Sequence, residues 1–139
     1  MPRWIGIDYG GVRTGLAVTD DNAKLAFPHA TVSTRELMAE LKRLVNASPC
    51  QGFVMGLPNA WGVELGKGFT HSTEPILQFR DQLKKRWPEL EVVTVDETNT
   101  SEEALQASIS GGMRKSKRSA KGALDHVAAA IILQRYLDR

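Results

Sequence analysis

Ile5-Gly6-Ile7-Asp8-Tyr9-Gly10-Gly11-Val12-Arg13-Thr14-Gly15-Leu16-Ala17-Val18 is the stretch whose reading decides the fold. An apolar strand runs up to a carboxylate, turns through glycines and an arginine, and returns as a second apolar strand. Burial of the first strand leaves Asp8 at its exposed end, where Gly10 and Gly11 let a large or charged ligand approach the backbone. An aspartate beside a glycine turn can equally be an Asx turn. Two later acidic positions weigh against that local reading.

Outward from the hairpin, Lys24 to Phe27 can form a short third strand that stops before Pro28. Leu37, Leu41, Leu44 and Val45 fall at helical spacing, which predicts a helix over residues 35 to 47. Gln51 to Gly56 reads as a short buried strand ended by Leu57-Pro58. Asn59 to Thr73, with Gly62, Gly66 and Gly68, reads as a long loop of the kind that often carries function. A second helix is expected from Glu74 to Arg86, with Pro75 in its first turn and Pro88 as its stop. Glu91 to Val95 is a further strand. Thr100 and Glu103 have capping-box spacing for a helix ending at Gly111-Gly112, and a last helix spans Lys121 to Leu137. The order βββαβαβαα puts a meander first and βα units after it, which predicts an α/β fold with a mixed sheet and helices packed on it.

The chain has 139 residues, enough for one domain with a real core, and no linker or internal repeat divides it. With 42% hydrophobic and 24% charged residues its composition is that of an ordinary globular protein. No apolar run approaches the roughly 18 residues that span a bilayer. Met1-Pro2-Arg3-Trp4 leads straight into the first strand and leaves no room for a signal peptide, so a cytoplasmic location without membrane contact is expected. Cys50 is the single cysteine, which excludes an internal disulfide and a Cys-rich zinc site. Its place before Phe53-Val54-Met55 suits packing. The net charge of +2 says little about nucleic acid, but its distribution says more. Arg114, Lys115, Lys117, Arg118 and Lys121 crowd into eight residues without an acid, and the run ends four residues before Asp125.

Asp8 ends the first strand, and Asp96 and Glu97 end the strand Val92-Val93-Thr94-Val95. The carboxyl ends of parallel strands line the ligand crevice of such sheets, so these acids are expected on one side of the molecule. Adjacent strand residues point to opposite faces, so Asp96 and Glu97 do not both aim at Asp8. Asp125 shares a helix face with Ala128, Ala129, Ile132 and Tyr136. A carboxylate on a core-facing stripe is costly unless paired or metal-bound. Three converging acids suit hard divalent cations, Mg²⁺ or Mn²⁺, and a pair of ions can activate water and stabilise the leaving oxygen of a phosphodiester. His29, His71 and His126 have no zinc-like spacing. His126 sits about 100 degrees round the helix from Asp125, which makes it a flanking or substrate contact.

These residues together resemble the YqgF (RuvX) family of the ribonuclease H-like superfamily, whose bacterial members are linked to maturation of the 16S ribosomal RNA precursor. Gly6-Ile7-Asp8-Tyr9-Gly10 with Arg13 to Ala17 matches the family's first strand and hairpin, and Gly56-Leu57-Pro58 its G-L-P turn. Asp96-Glu97 through Glu103-Ala104 resembles its D-E-R-x-S-T-x-E-A block. Lys121-Gly122-Ala123-Leu124-Asp125 and Ala128 to Tyr136 resemble its closing lysine, aspartate and alanine-rich helix. The resemblance covers nearly the whole chain. It implies one ribonuclease H-like domain over residues 1–139, with a mixed five-stranded sheet (antiparallel meander plus parallel strands) flanked by helices. It implies Asp8, Glu97 and Asp125 as catalytic, metal-holding carboxylates, with Asp96 as a possible accessory. Thr98 stands where the family usually has Arg, and Asn59-Ala60-Trp61-Gly62 where it reads close to M-D-G; both departures adjoin the expected site.

The leading expectation is a nuclease using two Mg²⁺ or Mn²⁺ ions on nucleic acid, in processing of the 5′ end of precursor 16S rRNA. Arg114, Lys115, Lys117, Arg118 and Lys121 would grip the phosphate backbone, with Arg13 and Lys121 nearest the metals. A Holliday junction resolvase acting on branched DNA, or a weakly active nucleic-acid-binding or ribosome-assembly module, are the alternatives. Junction cleavage would suit a two-fold homodimer presenting two sites, and the sequence leaves monomer and homodimer both open. An ATP-binding module of the actin and sugar-kinase type needs a second Asp-x-Gly, and Asp8-Tyr9-Gly10 is the only one here.

Overall fold

The opening hairpin forms as β1 (Arg3–Asp8) and β2 (Arg13–Thr19), paired antiparallel with Asp8 opposite Gly15. The structure, a computed structural model, describes residues 2–20, 22–57, 73–96 and 125–139. The expected helix from Thr100, the Asn59–Gly62 departure, Thr98 and most of the long loop lie outside the described residues.

The third strand is longer than its sequence suggests. β3 runs from Ala26 to Ser33, straight through Pro28. Proline has no N–H for a ladder and is confined to edges and bulges. Both conditions are met, because β3 is an edge strand and its register against β2 shifts at this point. Leu16 pairs with Ala30 and Ala17 with Pro28, which leaves His29 as the extra residue of a bulge.

β4 (Cys50–Leu57) and β5 (Glu91–Asp96) complete a five-stranded sheet in the order β3-β2-β1-β4-β5. β1, β4 and β5 are parallel, so Asp8, Leu57 and Asp96 end at one edge of the sheet. The sheet is therefore mixed, with the antiparallel meander on one side of β1 and the parallel strands on the other.

Side-chain alternation assigns each face its own cover. Ile5 and Ile7 point to the face covered by α1 (Leu37–Ala47) and α2 (Thr73–Arg86), where Leu37, Leu41, Leu44, Ile76, Phe79 and Leu83 are buried with them. A single 3-10 turn, Thr34–Glu36, leads into α1. Trp4 points to the opposite face, where it packs with Ala17, Val54, Ile132, Leu133 and Tyr136 under α3 (Asp125–Leu137). Each fully buried Leu or Ile on these faces contributes roughly 1.5–3 kcal/mol. None of the described helices is long and apolar enough to cross a membrane.

Alanines bring α3 down onto the sheet, and glycines receive it. A Cβ on Gly6 would lie 2.8 Å from Leu133 Cβ and 2.9 Å from the Ala129 carbonyl oxygen. One on Gly15 would lie 2.0 Å from the carbonyl oxygen of Asp125. Only glycine permits that approach, and it fixes how closely the Asp125 end of α3 lies on the sheet.

Candidate active site

Asp8 belongs to the same alternation set as Trp4 and Gly6, so it stands on the α3 face at the end of its strand. Gly15 is its cross-strand neighbour and touches the first backbone unit of α3. The tight contact therefore carries Asp125, more than a hundred residues away in sequence, to the edge where Asp8 ends. The two acids line one cleft of about 370 Å³ together with Tyr9, Gly10, Gly11, Val12 and Arg13.

Arg13 lies two residues from Gly15 on the same strand and so shares its face. Its Nε donates to Oδ2 of Asp125 at 3.1 Å. A guanidinium thus occupies the electrostatic position that a cation would take beside Asp125. Both side chains are partly open, 39% and 29% exposed, so the pair is replaceable by another cation at small cost. His126 is drawn to the side, its Nδ1 sharing a 3.1 Å hydrogen bond with Oγ1 of Thr31 on β3.

The floor of the cleft is the Tyr9–Val12 turn. The Tyr9 ring stacks on Phe79 of α2, with centroids 5.1 Å apart, which ties the turn to the core. Thr14 and Thr34 hold Gly10 through side-chain hydrogen bonds. A Cβ on Gly10 would meet the Arg13 carbonyl oxygen at 2.1 Å, so the turn closes only around a glycine. Neither threonine stands out in the sequence.

Asp96 ends β5 opposite Leu57, two strands from Asp8 and so about 10 Å across the sheet. It alternates with Val92 and Thr94 onto the α1/α2 face, away from Asp8. Its carbonyl accepts a 2.8 Å hydrogen bond from Arg135, which fastens the end of β5 to α3. Glu97, Arg114, Lys115, Lys117, Arg118 and Lys121 lie outside the described residues. Among the described residues no three acids, histidines or cysteines cluster tightly enough to hold a metal alone. Asp8 and Asp125 nonetheless supply a hard, oxygen-only donor set in an accessible cleft, which suits Mg²⁺ or Mn²⁺ keeping several waters.

A sheet ordered β3-β2-β1-β4-β5, with an acid ending β1 and a helix-borne acid delivered beside it, defines the ribonuclease H-like class of nuclease folds. Solved structures agree on the fold. The fowlpox virus resolvase in complex with Holliday junction DNA superposes with a TM-score of 0.58 at 11% identity, over 98% of this chain and 97% of that one. T. thermophilus RuvC with a Holliday junction substrate gives a TM-score of 0.55 at 13% identity, over 99% and 94%. The chain belongs to the RuvX family, described as Holliday junction resolvase, which matches residues 2–139. A Porphyromonas gingivalis protein named "Putative pre-16S rRNA nuclease" is 38% identical over 138 residues, 99% of this chain and 97% of its own length.

Proposed function

We propose that this chain is a metal-dependent nuclease that hydrolyses phosphodiester bonds, with the 5′ end of precursor 16S rRNA as its substrate. The observation that carries the reading is the meeting of Asp8 and Asp125 in one cleft at the sheet edge, beside a glycine turn that leaves room for a phosphate backbone. The name of the Porphyromonas gingivalis relative, which this chain matches end to end, supports the RNA substrate.

Asp8, Glu97 and Asp125 would hold two divalent ions, which supply an activated water and stabilisation of the leaving oxygen. The rest of the work falls to the chain. Arg13, displaced from Asp125 by a cation, is within reach of the cleft to pair with a phosphate oxygen, for which a guanidinium is well shaped. The run Arg114, Lys115, Lys117, Arg118 and Lys121 binds backbone charge without reading sequence. Asp96 would serve as an accessory carboxylate beside Glu97 in sequence. The substrate places the activity in the cytoplasm.

The family's description favours a second substrate, branched DNA. Incubation with a labelled precursor rRNA fragment and a four-way DNA junction, side by side, separates the two. Preferential cleavage of the RNA supports the first reading, and symmetric nicking of the junction the second. Cleavage of neither with Mg²⁺ or Mn²⁺ refutes both and leaves a binding module.

A further inference from the structure

Gly10 is held by a closed circuit of hydrogen bonds. Its N–H donates to Oγ1 of Thr14 at 3.4 Å, and its carbonyl accepts from Oγ1 of Thr34 at 2.6 Å. The two hydroxyl oxygens lie 2.9 Å apart. A hydroxyl carries one proton. That of Thr34 goes to Gly10, so Thr14 must donate to Thr34, and the circuit runs one way round. Thr34 also donates its backbone N–H to the Val12 carbonyl at 2.9 Å, so one residue, the first of the 3-10 turn that precedes α1, holds the turn on both sides of Gly11.

Among the described residues, the turn held in this way, with its flanking Asp8 and Arg13, supplies every lining residue of the cleft except Asp125. Neither threonine lines the cleft itself. Thr14 is fully buried and alternates with Leu16 onto the α1/α2 face, opposite Asp8. The circuit therefore reaches through the sheet edge, from the core side to the site side.

We propose that Thr14 and Thr34 are positioning residues: their hydrogen-bond circuit through Gly10 sets the turn that aims Asp8 and Arg13 into the cleft. The proposal rests on the nuclease reading. Groups that orient a metal ligand are worth roughly 10–100-fold in affinity or activity when removed. A displacement near 1 Å in such a site is worth about a hundredfold in rate.

The test uses the full chain and the variants Thr34→Val, Thr34→Ser, Thr14→Val and the double valine. Each is assayed by calorimetric titration with Mn²⁺ and by kcat and KM on labelled RNA. Thr34→Val is expected to lower kcat and weaken Mn²⁺ binding by roughly 10-fold or more and, because the turn also aims Arg13, to raise KM by a smaller factor. Thr34→Ser, which keeps the hydroxyl, restores all three. Because one break opens the circuit, the double variant should lose no more than the worse single one. A lower melting temperature with unchanged kcat and unchanged Mn²⁺ affinity would make the circuit structural and overturn the proposal. So would additive losses in the double variant. If the unaltered chain neither binds Mn²⁺ nor cleaves, the nuclease reading fails first and the proposal with it; if it does both and Thr34→Val matches it, the proposal alone fails.

Discussion

Gly15→Ala adds one methyl group at the point where the fold and the site are the same contact. The new Cβ would sit 2.0 Å from the Asp125 carbonyl oxygen, 2.2 Å from its carbonyl carbon and 2.8 Å from the His126 nitrogen. Real Cβ atoms stay beyond about 3.0 Å, and the obstacles are backbone, so the first turn of α3 must lift by at least about 1 Å. Overpacking of this kind costs about 1–3 kcal/mol. In a domain of this size that lowers the melting temperature by roughly 3–15 °C. The same lift moves Asp125 relative to Asp8, and a misplacement near 1 Å is worth about a hundredfold in rate. Differential scanning calorimetry and cleavage of labelled RNA, read well below the lowered melting temperature, measure the two effects separately. Gly11→Ala, which meets no atom of the described residues within 4 Å, is the stability control and should melt with the unaltered chain. Gly6→Ala presses on the middle of α3, against Leu133 and Ala129, and should cost stability with a smaller loss of cleavage. Gly15→Ala that melts lower yet cleaves at the full rate would refute the claim that the helix start positions Asp125 for chemistry. Unchanged melting would refute the contact itself.

Arg13→Ala should cost under about 1 kcal/mol of stability, since its pair with Asp125 is partly exposed, but should raise KM on RNA. An unchanged KM would mean that the guanidinium serves Asp125 alone. Lys115, Lys117 and Arg118 replaced together by Ala should weaken binding and flatten the salt dependence by about three units of slope, checked by binding titrations at several salt concentrations. Burial pushes the Cys50 thiol above its ordinary value, so the native protein should react with a thiol reagent at pH 8 far more slowly than the unfolded chain. That contribution to stability is present below the unfolded thiol's value and is lost as pH rises through the folded one. The hydrogen bond from Arg43, with help from His29, holds the Glu40 carboxyl below its usual range. Its contribution is present above the unfolded carboxyl's value and is lost as pH falls through the folded one, so Glu40→Gln should flatten the acid side of a melting-temperature profile.

The hairpin, the strands β4 and β5 and the apolar stripes of α1 and α2 were legible because local pattern and tertiary packing agree there. Leu37, Leu41 and Leu44 fall at helical spacing and are all buried. Pro28 misled as a strand end because its tolerance depends on β3 lying at the sheet edge and on the bulge at His29, both set by neighbours distant in sequence. Asp8 and Asp125 could be named from a strand end and a costly carboxylate on an apolar stripe. What brings them together could not be read so directly. It depends on Gly15 facing Asp8 across one hairpin and on α3 pressing into the gap, a contact that only the folded sheet creates. The Arg13–Asp125 pair and the Thr14–Thr34 circuit were hidden for the same reason, because each joins residues that only the folded sheet brings together.

The account turns on metal-dependent cleavage by Asp8 and Asp125. The direct measurement is hydrolysis of a labelled precursor 16S rRNA fragment by the unaltered chain, Asp8→Asn and Asp125→Asn, each with Mg²⁺, Mn²⁺ or excess chelator, and with circular dichroism to verify folding. Each substitution removes a charge at nearly constant volume. The account predicts cleavage by the unaltered chain with either ion, none with chelator, and none by the two folded variants. Undiminished cleavage by folded Asp8→Asn, or cleavage that survives the chelator, would contradict it.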